Sequence, residues 1–141
     1  MQKIFFTVIF TFFTVASYAA ELNIEMLNKR ADGQRMVYSL EVAKIAVGDV
    51  VNWLPVAKGH NVEFKAGPAG VVLPKKSAMN QKYSYKFEQP GIYFYWCTPH
   101  KAMGMIGLVI VGDDLSNKAD IAKVKVFGKS KSKLAKLLQE L

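Results

Sequence analysis

The chain has 141 residues, 51% of them apolar, and 19 Lys and Arg against 11 Asp and Glu give it a formal net charge of +8. That length makes one domain with a core of ordinary size. The basic excess would suit nucleic acid, anionic lipid or an acidic protein, but no aromatic–basic nucleic-acid motif stands out, which leaves an acidic protein partner.

Residues 1–20 read as an export leader. Lys3 supplies a positive start, residues 4–15 are apolar residues and threonines, and Ser17-Tyr18-Ala19-Ala20 offers a cleavage site after Ala19 or Ala20. The apolar run is too short to span a bilayer comfortably, so no membrane anchor is expected. Cleavage removes one charge, Lys3, and leaves 8 − 1 = +7.

Residues 21–112 read as strands and turns. Leu22, Ile24 and Met26 alternate with polar neighbours, as in a half-buried strand. Residues 36–47 form a longer β-like stretch ended by Gly48-Asp49, and residues 50–54 form a compact strand that stops at Pro55. Residues 65–80, with Gly67-Pro68, Gly70 and Pro74, are a long connection between sheets. Tyr83, Tyr85 and Phe87 then share one face at period two. A turn at Glu88-Gln89-Pro90-Gly91 precedes a strand over 92–96, and residues 107–111 close the series. Such short strands predict an all-β fold, an antiparallel sandwich or barrel.

Residues 113–141 differ. Ser116 can cap a helix over 117–126, with Ile121, Val124 and Val126 facing inward and Gly128 as its stop. A second helix can start at Ser130 or Ser132, where Leu134, Leu137, Leu138 and Leu141 make an i, i+3, i+4, i+7 stripe. Neither is long enough to be stable alone, so both are expected to pack on the sandwich.

The segment YWCTPHKAMGM, residues 95–105, holds the only cysteine of the chain and one of its two histidines. Exported domains use cysteine in pairs, and an unpaired exposed thiol would be oxidised or coupled to another chain. Cys97 is therefore either a small buried apolar residue or a ligand. Cys97, His100 and Met105 stand at spacings of three and five between two strands. His60 follows the strand over 50–54, and pairing that strand beside 92–96 would bring it to the same end. Two imidazoles and a thiolate in a plane, with a weak axial thioether, are the ligand set of a blue-copper electron-transfer site. With all four positions filled by protein, no open site for a substrate remains. Nor does the sequence offer a third group to orient a histidine as base for Cys97. These features exclude an enzyme and leave an electron carrier, with a copper chaperone as the alternative.

The segments GHNVEF, residues 59–64, and CTPHKAMGMIGLVIVGD, residues 97–113, resemble the small cupredoxins and among them the pseudoazurin family. The resemblance covers nearly all of residues 21–141 and implies a Greek-key β-sandwich followed by two C-terminal α-helices. It implies one type 1 copper ion on His60, Cys97, His100 and Met105. Amicyanin loops place Met three residues after the His, which makes Met103 the rival axial ligand, and the MGMIG run favours Met105. Residue 96 is Trp where the pseudoazurin family carries a lysine, either a docking residue or a cover on the neighbouring strand. Asn61 is expected to bond near Cys97 and tie the two ligand segments together, and Pro99 to stiffen the loop.

The implied function is a periplasmic one-electron shuttle between c-type cytochromes and acceptors such as nitrite or nitrous oxide reductase in denitrification. The implied docking surface is an apolar patch around His100, built from Gly59, Pro99, Ala102, Met103 and Gly104. Lys29, Lys58, Lys75, Lys76 and Lys101 would ring it. A monomer is the simplest state for such a shuttle.

Overall fold

The structure is a computed structural model that describes residues 18–141, so most of the expected leader lies outside the described residues. β1 (Glu21–Lys29) pairs on one side with β2 (Arg35–Tyr38) and on the other with β4 (Val50–Leu54), which in turn pairs with β6 (Tyr83–Lys86). The opposite sheet runs in the order β3 (Val42–Ile45), β8 (Ile106–Val111), β7 (Gly91–Trp96) and β5 (Glu63–Ala66). α1 (Lys118–Ala122) and α2 (Ser130–Gln139) follow. This is the all-β class with two C-terminal helices that the sequence predicts.

Alternation places the core. Ile24 and Met26 from β1, Val51 and Trp53 from β4, and Tyr93 and Tyr95 from β7 all meet between the sheets. Trp53 is central, with ring centroids 5.2 Å from Tyr95 and 5.6 Å from Phe64, both edge-on. Gly107 lies opposite Tyr95 on the neighbouring strand, where a Cβ would overlap the phenol ring. Every residue of β7 is buried, because its other face (Ile92, Phe94, Trp96) packs with Ile106, Leu108 and Ile110 against the helices. Burial of Ile121, Leu134, Leu137 and Leu138 stabilises that layer by about 2 kcal/mol per side chain relative to exposure.

Four expectations are corrected. Residues 36–47 do not form one strand, because the chain leaves the first sheet after Tyr38 and joins the second at Val42. The sandwich is not wholly antiparallel: β1 pairs with β4, and β3 with β8, in parallel register. Both follow from the crossover through β3, after which β4 runs in the same direction as β1. The first tail helix covers only Lys118–Ala122, and Ser116 does not cap it. Asn117 stands at the N-cap position, but its amide bonds both the N–H and the C=O of Ile92, each at about 2.9 Å or less, and so ties the tail to β7. Finally, β4 and β7 lie in different sheets, so His60 reaches Cys97 by another route, through β5.

Candidate metal centre

β5 begins three residues after His60 and pairs with the end of β7, Glu63 opposite Trp96. That register sets the GHNV segment beside Cys97. Residues 77–80 hold it from behind: Ser77 N–H donates to the Val62 carbonyl and Asn80 N–H to the His60 carbonyl, both at 2.9 Å. Gly59 N–H donates to Asn80 Oδ1 at 2.6 Å. The 97–105 loop folds on itself. Cys97 N–H bonds the Met105 carbonyl at 3.0 Å, and the His100 carbonyl accepts from Met103 and Met105 at 2.9 and 3.3 Å. Pro99 lies in a short 3-10 turn, Thr98–His100, where its missing N–H costs nothing.

These elements converge three side chains. Cys97 Sγ is 3.7 Å from His60 Nδ1 and 3.4 Å from His100 Nδ1, and the three donor atoms lie within 4.8 Å of one another. Two donors bound at about 2.0–2.3 Å to one ion, at a near-tetrahedral angle, stand about 3.5 Å apart. The spacing therefore fits a shared metal. His60 Nε2 lies 2.8 Å from Asn28 Oδ1, which can only accept, so the ring's proton sits on Nε2 and the Nδ1 lone pair faces Cys97. His60 and Cys97 are fully buried, and His100 is half-buried.

Electrostatics point the same way. Burial pushes the Cys97 thiol up, against N–H groups of Asn61 and His100 that favour the thiolate. Burial lowers both histidines, and the charge of His100 lowers His60 further. The site thus disfavours both an imidazolium and a bare thiolate, and a cation among these donors would relieve the conflict.

Asn61 ties the two ligand segments together, as expected. Its Oδ1 accepts from Thr98 N–H at 2.8 Å and its amide donates to Thr98 Oγ1 at 3.0 Å. Met105 is fully buried in the same apolar cluster as Cys97, while Met103 is 49% exposed. Trp96 is only 5% exposed, covered by Phe127 at 6.1 Å and by the ammonium groups of Lys65 and Lys101 at 5.1 and 5.2 Å. It is a cover on the sheet. Gly104 is buried as well, and so is not part of an exposed patch.

Two contributors escape the sequence reading. Asn28 holds His60 from the end of β1, and no spacing rule links the two positions. Glu63 accepts from Trp96 Nε1 at 2.7 Å and from Thr98 Oγ1 at 2.8 Å, the residues on either side of Cys97. Burial alone would raise its carboxyl, but these bonds and Lys65 together hold it below the usual range. An acid in an otherwise basic rim, three residues after a ligand histidine, was the available signal.

Fold and cluster together define a cupredoxin. Residues 24–112 match the family model of copper binding proteins of the plastocyanin/azurin family. A pseudoazurin of Paracoccus pantotrophus is 43% identical over 108 residues, covering 75% of this chain and 72% of its own length. The pseudoazurin structures of a Sinorhizobium and of Hyphomicrobium denitrificans both superpose with a TM-score of 0.80. They are 36% and 34% identical, covering 86% of this chain and 95% and 98% of theirs. The chain belongs to the plastocyanin/azurin family of copper-binding proteins, within its pseudoazurin branch. It is a copper-binding electron carrier of the cupredoxin class.

Proposed function

We propose that His60 Nδ1, Cys97 Sγ, His100 Nδ1 and Met105 Sδ hold one type 1 copper ion in a periplasmic electron shuttle. The observation that carries this reading is the buried His60–Cys97–His100 cluster, its donors spaced for one ion. Met105 would be the better fourth donor because it lies in the same buried cluster as Cys97, whereas Met103 is 49% exposed. Bound there, copper supplies a one-electron Cu(II)/Cu(I) couple. The chain's part is to keep the donors still. Asn28 fixes the His60 ring, Asn61 and Thr98 lock the two segments, and burial keeps water out, so little rearranges when charge changes.

His100 is the port through which electrons enter and leave, since it alone of the three clustered donors is partly open to solvent. Gly59, Pro99, Ala102 and Met103 form the contact patch, and Lys29, Lys58, Lys75, Lys76 and Lys101 steer an acidic face of the partner onto it. Small contact area and charge steering suit brief, salt-sensitive encounters. By kinship the partners are c-type cytochromes and nitrite or nitrous oxide reductases of denitrification, met by a monomer. Residues 1–20 are the cleaved leader, residues 21–112 the copper-holding sandwich and residues 113–141 its helical tail. Processing after Ala19 would leave the Ala20 amine on Asp49 Oδ1, where its N–H already stands at 2.8 Å.

Copper addition tests the reading. Cu(II) added to the reduced, metal-free mature protein should produce an intense blue or green thiolate-to-copper band with narrow copper hyperfine splitting. A pale spectrum, or prompt thiol oxidation, would overturn it and leave a copper chaperone or a structural domain.

A further inference from the structure

The ligand loop is held from outside by the tail. Lys129 N–H donates to the Ala102 carbonyl at 2.9 Å, Ser130 Oγ to the Lys101 carbonyl at 2.5 Å, and Lys133 Nζ to the Gly104 carbonyl at 2.8 Å. Three of the four carbonyls between His100 and Met105 are thus taken by three residues within a five-residue stretch, 129–133, at the start of α2. The approach is close enough that a Cβ on Gly128, at φ +51°, would overlap the Ala102 carbonyl. Ser130 is fully buried and so committed to this bond, which explains why it does not cap its own helix.

Lys133 is itself anchored. It ion-pairs with Glu41, which sits just before β3 and also meets Arg30 at 3.5 Å. Its side chain is 18% exposed, well below the 74% of Lys136 one turn on. A solvated lysine would have no need of that geometry. The chain Arg30–Glu41–Lys133–Gly104 runs from the sandwich through the helix to the peptide directly before Met105.

We propose that Ser130 and Lys133 are positioning residues for the 101–105 loop, fixing where His100 and Met105 present their donor atoms; this rests on the copper reading above. Gly104, at φ +96°, is the residue through which the loop would otherwise relax. The bonds of Ser130 and Lys133 restrain it from both sides, so that the backbone cannot drift when the ligands are not held by metal.

The test uses the full mature protein with Ser130→Ala, Lys133→Met, Lys133→Arg and Leu137→Ala. Leu137→Ala loosens the packing of α2 without touching a loop carbonyl. In the metal-free protein, amide hydrogen exchange of Met103 and Met105 should quicken about tenfold in Ser130→Ala and in Lys133→Met, the equivalent of one lost hydrogen bond. In the copper-loaded protein the same two variants should change the ratio of the thiolate-to-copper bands and the reduction potential. Lys133→Arg, which keeps a donor, should restore the parent values, and Leu137→Ala should lower stability with an unchanged spectrum. Exchange within twofold of the parent and an unmoved band ratio in both Ser130→Ala and Lys133→Met would overturn the proposal and leave the tail a cover only. If Lys133→Met does not fold, Ser130→Ala decides alone, since it removes no charge. A parent without an intense thiolate band would overturn the copper reading instead, and the exchange rates of the metal-free protein would still decide the clamp.

Discussion

Replacing Asn61 by Ala removes a side chain that bonds Thr98 twice and so ties the His60 segment to the Cys97 segment. Two hydrogen bonds disappear, from Thr98 N–H at 2.8 Å and to Thr98 Oγ1 at 3.0 Å. The second is an ordinary bond with a net contribution of about 1 kcal/mol. The first leaves a half-buried peptide N–H without its acceptor, a loss of roughly 1–2 kcal/mol after some relief by water. Asn61 is 1% exposed, so little of the gap refills. The sum is about 2–3 kcal/mol. For a mature chain of roughly 120 residues, with about 2.1 cal/mol/K of unfolding entropy per residue, that lowers Tm by about 10 °C. The assay is thermal and urea unfolding of the metal-free protein, together with Thr98→Val and the double variant. Thr98→Val loses the hydroxyl bonds but keeps the peptide N–H on Asn61, so the two changes should couple by about 1 kcal/mol. A loss below about 0.5 kcal/mol for Asn61→Ala, or strict additivity in the cycle, would refute the tie between the segments.

Met105→Gln should shift the thiolate-to-copper bands and lower the potential of the loaded protein, while Met103→Gln, at an exposed position, should leave both unchanged; visible and electron spin resonance spectra decide. Gly107→Ala drives a methyl into the Tyr95 ring and should destabilise by roughly 1–3 kcal/mol, read as a lower urea midpoint at unchanged slope. The metal-free protein should also weaken in acid. His60 and His100 are both held below the ordinary value of 6.5, by burial first, so the unfolded chain binds more protons. Their contribution is fully present above about pH 6.5 and is lost as pH falls through the lowered values. Urea midpoints at about pH 7.5 and about pH 5 should differ in that direction, and a higher midpoint in acid would contradict the burial of the two imidazoles.

The candidate site was legible because three of its four proposed donors share one short segment and the fourth is the only other histidine in the chain. Residue chemistry alone narrowed the choice, without any knowledge of the strand order. The route of His60 was not legible. β5 is four residues long with a single large apolar side chain pointing inward, Phe64, so no period-two alternation marks a strand there. The break inside residues 36–47 was hidden for a similar reason. Ser39-Leu40-Glu41 contains neither Gly nor Pro, and the change of sheet is fixed by long-range pairings of Met26 with Tyr38 and Val42 with Leu108. In the tail, the leucine stripe identified α2 and its inward face correctly. The serines near the helix starts misled. Ser116 does not cap α1, where Asn117 stands at the N-cap position with its amide bonded to Ile92. Ser130 bonds the distant Lys101 carbonyl rather than its own helix.

The double burial of β7 bears on how far this chain could be shortened. Its outer face, with that of β8, is roofed by Ile121, Leu134, Leu137 and Leu138. A gene cut after Gly112 would still encode every side chain proposed to hold copper. Its product would nevertheless turn Ile92, Phe94, Trp96, Ile106, Leu108 and Ile110 outward as one contiguous oily sheet surface. Such a surface invites self-association. A tail-less miniature would therefore need those positions recoded to polar residues before it could stay in solution.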